Sequence, residues 1–240
     1  MLPIRDHLPT RSFPAVNYTL IALNVGAFAL EGRSMMGGAD ADAVVRQWAL
    51  IPGLLVAHPL ASAPTLFTHM FLHGGLGHIA GNMLFLWIFG DNVEDALGHA
   101  RYALFYLACG VVAALAQVAA SPHSMVPMLG ASGAISGVLA AYGVLYPRSP
   151  ITVVNPIPLM WPFWGLFMSF PAWFVILEFF GANLWNAFQP SNPAGGVAFV
   201  AHVGGFVAGL ALLPLLRTEE PVDYDPWDRL LGPRRRRFVE

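Results

Sequence analysis

Apolar residues in this chain fall in long unbroken blocks separated by short polar stretches. A helix needs about 20 apolar residues to cross roughly 30 Å of hydrocarbon. Six blocks approach that length: about Ala15–Leu30, Gly75–Phe89, Tyr102–Ala120, Met128–Tyr146, a block within Trp161–Phe188, and Val197–Leu216. Stop signals follow them: "GDNVEDALGHAR" after the second, Ser121-Pro122 after the third, Pro147-Arg148 after the fourth and Arg217 after the sixth. Pro156, Pro158, Pro162 and Pro171 interrupt the fifth, and each removes a backbone donor. The pattern predicts an all-α polytopic membrane protein, a bundle of six transmembrane helices. It divides into an N-terminal segment 1–14, a membrane domain 15–217 and a polar tail 218–240. The first loop, 31–70, is long enough to be functional or partly ordered. Its apolar patch "WALIPGLLVAHPL" is expected to lie in the outer membrane interface through Trp48, Leu50, Ile51, Leu54 and Leu55.

Composition agrees. Of 240 residues, 56% are hydrophobic and 11% charged, against roughly a quarter charged in soluble domains. A net charge of −2 gives no global basic surface, so nucleic acid is not an expected partner. Cys109 is the single cysteine, which excludes an intramolecular disulfide and a cysteine-based zinc site. The opening "MLPIRDHLPTRSFP" lacks the apolar core of a cleavable signal peptide and the acid-poor helix of a transit peptide.

Charge sets the expected orientation. With six crossings, Arg5, Arg11, Arg101, Arg148, Arg217, Arg229 and Arg234 to Arg237 share one side, and only Arg33 and Arg46 fall on the other. The positive-inside bias therefore puts both termini in the cytoplasm of a bacterial-type plasma membrane. Five crossings would move the C-terminal arginine cluster outside.

The same topology brings unusual polar residues together. Segments two, four and six run in one direction, so their N-terminal ends share the extracytoplasmic side. "HGGLGHIAGN" contributes His73, His78 and Asn82, "GASG" contributes Ser132, and "AHVGG" contributes His202. At about 1.5 Å rise per residue, these groups lie at one shallow depth. Ser132, Gly133 and Gly137 in segment four, and Gly205 and Gly209 in segment six, are small residues at contact spacing, which would let these two helices approach closely. If the segments pack through these glycines, Ser132 comes within hydrogen-bond reach of His202, a candidate nucleophile beside its candidate base. The Ser132 backbone N–H, His78 and Asn82 are candidate oxyanion donors.

Blander readings exist for each member. A glycine-framed serine is also a packing face, and a lone Asn an interhelical hydrogen bond. His73, His78 and His202, with His69 as a fourth, are candidates for a three-histidine metal site. However, His73 and His78 stand about 140° apart on a regular helix, and no H-E-x-x-H motif occurs. A transporter lacks paired intramembrane acids, since Glu178 is the only acid deep inside a span. Its simpler reading is a hydrogen-bonded structural residue, or an interfacial one if the fifth span is shifted.

Taken together, the pattern His73, His78 and Asn82, the "GASG" box at Ser132 and "AHVGGFVAG" at His202 resemble the rhomboid family of intramembrane serine proteases. The resemblance covers the six-segment core. It implies a Ser132–His202 dyad, with His78, Asn82 and the Ser132 N–H binding the oxyanion, Gly130 shaping the turn and His73 in support. It further implies single-span membrane proteins as substrates, cut in or near their transmembrane segment, and no metal or organic cofactor. A catalytically inactive relative that only binds membrane proteins is the alternative within the same fold. Two features depart from the family. Pro64-Thr65 stands where some members carry Trp-Arg. Ser136 stands where some carry an aromatic that supports the histidine, so another group must orient His202.

Overall fold

A computed structural model describes residues 1–36, 41–189 and 198–217; the tail from 218 and its arginines lie outside the described residues. The chain is mostly helical. Its longer helices are α1 (Ala15–Met36), α2 (Leu76–Leu97), α3 (His99–Ala120), α4 (Ser132–Leu145), α5 (Ala172–Ala187) and α6 (Phe199–Leu216). By length and composition, α3 and α6 suffice to cross a membrane, and α4 is a shorter apolar helix. Helix α4 lies in the centre, with Gly133 through Tyr142 all buried. Tyr142 of α4, Tyr102, Tyr106 and Phe105 of α3 and Phe89 of α2 are the largest fully buried side chains among the described residues.

Helices α4 and α6 touch backbone to backbone. A Cβ on Gly205 would stand 2.0 Å from the Gly133 carbonyl oxygen, and one on Gly209 would stand 2.4 Å from that of Gly137. Both distances lie far inside van der Waals contact, so only glycine fits this crossing.

The second block runs further than its apolar residues suggest. Helix α2 continues through Asp91, Glu94 and Asp95 to Leu97, because its terminal acids have partners. The buried Glu94 carboxylate accepts the Val16 N–H at 2.9 Å and the Asn17 N–H at 2.7 Å. These are first-turn donors of α1 that have no carbonyl within their own helix. Asp95 accepts from the Arg11 Nε–H at 3.0 Å and the Ser12 hydroxyl at 2.7 Å. Helix α2 ends where Gly98 turns to φ +77° and its N–H donates to the Glu94 carbonyl at 2.7 Å.

Two expectations need correction. The fold is not purely α: β1 (Leu2–Asp6), β2 (Pro150–Val154) and β3 (Phe167–Pro171) form an antiparallel sheet in the order β1-β2-β3. The run "ITVV" is rich in β-branched residues, which suit a pleated strand, and the N-terminal segment supplies its second edge. The prolines before Ala172 thus sit in a strand-containing connection, and the fifth helix is confined to Ala172–Ala187. Within it, Glu178 is half exposed and its carboxylate lies 3.1 Å from the Met1 amine.

The first-loop patch also differs. Leu50, Ile51 and Leu55 are buried. Leu50 and Leu55 pack with Ala114 of α3, next to Leu66, Val118 and Met128. Leu50 and Met128 exchange backbone hydrogen bonds of 3.0 and 2.7 Å, which ties the loop to the stretch before α4. Of the patch, Trp48 remains exposed, together with Val56 and Leu60. No Trp-Arg pair is needed to hold this loop: the Thr68 hydroxyl donates to the Trp48 carbonyl at 2.6 Å.

Candidate active site

Ser132 is the first residue of α4, where backbone N–H groups have no carbonyl of their own helix to bond. The chain reaches it through Gly130 at φ +121°, a left-handed conformation that disfavours any side chain. The Gly130 N–H donates to the carbonyl of the buried His69 at 2.9 Å. A Cβ on Gly130 would lie 2.7 Å from His78 Nε2 and 3.6 Å from Asn82 Nδ2. Backbone geometry and space therefore both demand glycine here, and its absent side chain leaves room beside two polar groups.

His202 occupies the first turn of α6 and is buried. Its Nε2 lies 2.7 Å from Ser132 Oγ. The close glycine crossing of α4 and α6 produces this contact, joining residues 70 positions apart. On the other side of the ring, Nδ1 lies 2.5 Å from Asn183 Oδ1, on α5. Phe179 and Phe199 flank the imidazole, with ring centroids 6.3 and 6.4 Å away. The Ser136 hydroxyl donates to the Ser132 carbonyl at 2.8 Å.

His78 and Asn82 lie one turn apart on α2, beside Gly130. The His78 Nδ1 accepts a long hydrogen bond of 3.4 Å from the Gly74 N–H, which leaves Nε2 as the protonated nitrogen facing Gly130. Asn82 Nδ2 lies 2.9 Å from the Nε2 of the buried His73. His73 itself precedes α2 rather than standing on it, since Gly74 and Gly75 separate it from the helix start at Leu76. The angular argument from a regular helix therefore does not apply: the His73 and His78 rings meet edge to face with centroids 5.1 Å apart. Among the described residues, no three His, Cys, Asp or Glu side chains are grouped to hold a metal. Both ring nitrogens of His202 are already bonded to protein groups.

All six site residues read from the sequence thus meet around Gly130 and Ser132. Asn183 is the residue that sequence reasoning missed. Its signal was an amide inside an apolar helix, a position where polar groups tend to be functional.

Comparison with known proteins identifies the family. The family model described as Rhomboid domain matches residues 61–219, more than half of the chain. The rhomboid protease GluP of Bacillus subtilis is 45% identical over 76 residues, covering 32% of this chain and 14% of that protein. The mitochondrial Rhomboid protein 1 of Saccharomyces cerevisiae is 30% identical over 145 residues, 58% of this chain and 38% of that protein. The human Rhomboid-related protein 3 is 30% identical over 162 residues, 66% of this chain and 38% of that protein. The chain therefore spans well under half the length of these relatives, and the matched region contains every site residue named above. The chain belongs to the rhomboid family.

Proposed function

We propose that this chain is an intramembrane serine endopeptidase that cleaves single-span membrane proteins in or near their transmembrane segment. The observation that carries the reading is the 2.7 Å contact between Ser132 Oγ and His202 Nε2. Ser132 Oγ attacks the scissile carbonyl while His202 Nε2 takes its proton. The oxyanion forms among the His78 Nε2–H, the Asn82 amide and the Ser132 N–H, at the positive end of α4. His202 then protonates the leaving amine, and a water activated by the same imidazole releases the acyl group. Gly130 keeps the oxyanion space open, and His73 orients Asn82. These steps use no metal or organic cofactor.

In this reading, α1 to α6 are six crossings of the domain 15–217, and both termini are cytoplasmic. At 14 residues, α4 is only about 21 Å long at 1.5 Å per residue, shorter than the hydrocarbon core. Ser132, at its outer end, then lies below the membrane surface but open to water from that side. The test is reconstitution of wild type and Ser132→Ala in liposomes with a tagged single-span substrate. Cleavage by wild type alone is expected. Unchanged cleavage by Ser132→Ala would overturn the nucleophile assignment, and binding without cleavage by wild type would favour an inactive membrane-protein binder.

A further inference from the structure

We infer that Asn183 of α5 is the third member of the catalytic array, a positioning residue that fixes which ring nitrogen of His202 carries the proton. The argument begins at the other end of the amide. Asn183 Nδ2 lies 2.8 Å from the Phe179 carbonyl, one turn back on α5. A carbonyl only accepts, so the atom facing it is the amide nitrogen. The amide cannot be flipped without setting two oxygens against each other, and Oδ1 must therefore face His202. At 2.5 Å from His202 Nδ1, that oxygen accepts, so Nδ1 carries the ring proton. The neutral imidazole then has its lone pair on Nε2, which faces Ser132 Oγ at 2.7 Å and accepts the hydroxyl proton.

A chain of three hydrogen bonds thus runs from the α5 backbone to the nucleophile, each with one permitted direction. Asn183 and His202 are both buried, so the amide side of the ring is held by protein, while the partly exposed Ser132 stands on its other side. This fills the place left by Ser136, where the histidine receives no aromatic support from α4. A neutral amide orients the ring without adding charge, an arrangement familiar from Cys-His-Asn hydrolases. Helix α5 thereby becomes part of the chemistry: a shift of α5 away from α6 breaks the bond that sets the tautomer.

The assignment rests on the serine-protease reading above, and the test separates the two. First, the ring nitrogens of His202 are observed by ¹⁵N NMR in wild-type protein at neutral pH, with His202→Gln as the assignment control. The Nδ1–H form is expected; a dominant Nε2–H form overturns the inference without touching the protease reading. Second, kinetics compare wild type, Asn183→Leu, Asn183→Asp and Ser132→Ala on one reconstituted substrate. Asn183→Leu is expected to lower kcat by about 10- to 100-fold with KM nearly unchanged, by analogy with metal-bound histidines that lose their orienting partner. Asn183→Asp, which keeps an acceptor, should recover part of that loss. Wild-type kcat in Asn183→Leu, or an Asp variant worse than Leu, would show that the amide only packs. If Ser132→Ala cleaves as fast as wild type, the protease reading falls instead, whatever Asn183 does.

Discussion

Two serines stand one helical turn apart in α4, and only their neighbours separate them. Ser136 spends its hydroxyl on a carbonyl of its own helix, while Ser132 faces an imidazole whose far side is already held. His78 and Asn82, the proposed oxyanion donors, flank the space left by Gly130. Replacing either by Ala should lower kcat by about 10²- to 10³-fold with little change in KM, as for loss of one oxyanion donor; steady-state cleavage in detergent or liposomes checks this. Most of these residues were legible beforehand, because a polar group at the N-terminal end of an apolar segment is rare and three segments shared one depth. Asn183 was not, since that reasoning considered only where segments begin. Asn183 lies instead near the C-terminal end of α5, five residues before the capping Phe188, and reaches His202 from there. The location of His73 was misread for a related reason: the Gly74-Gly75 pair delays the helix start.

Elements here are held by contacts that hydropathy does not record. The α4–α6 crossing depends on glycines whose absent Cβ atoms would collide with backbone. Gly205→Ala should push α6 away from α4, costing about 1–3 kcal/mol in thermal unfolding and reducing cleavage by lengthening the Ser132–His202 contact. The long α2 and the strand β1 escaped the hydropathy pattern because both rest on specific polar partners: Glu94 and Asp95 with the start of α1 and its approach, and Asp6 with Tyr142. The Asp6 carboxyl accepts the Tyr142 hydroxyl at 2.9 Å, while burial, aided by the Asp91 charge, raises its pKa from 3.8 to about 7. Its folded state therefore binds more protons than its unfolded state between these values. The contribution of Asp6 to docking of β1 is fully present below about 4 and lost as pH rises through about 7. Hydrogen exchange of the β1 amides, corrected for intrinsic rates, should show weaker protection at pH 8 than at pH 5, and Asp6→Asn should flatten that difference.

At the scale of the whole molecule, the bundle brings α2, α4, α5 and α6 together around Ser132 and His202. Its mostly helical character was readable because long apolar blocks favour helices, which satisfy their own backbone hydrogen bonds; the number of crossings and their direction remain part of the proposal. The sheet and the buried first loop were not, because they depend on pairing between distant segments, such as Leu2 with Val154 and Leu50 with Met128. The central claim is that this assembly makes Ser132 a nucleophile through His202. The most direct measurement is mass-spectrometric mapping of a serine-directed fluorophosphonate adduct on the reconstituted protein. The account predicts one adduct, on the peptide carrying Ser132, absent from Ser132→Ala and strongly reduced in His202→Ala. An adduct on any other residue, or equal labelling of wild type and His202→Ala, would contradict it.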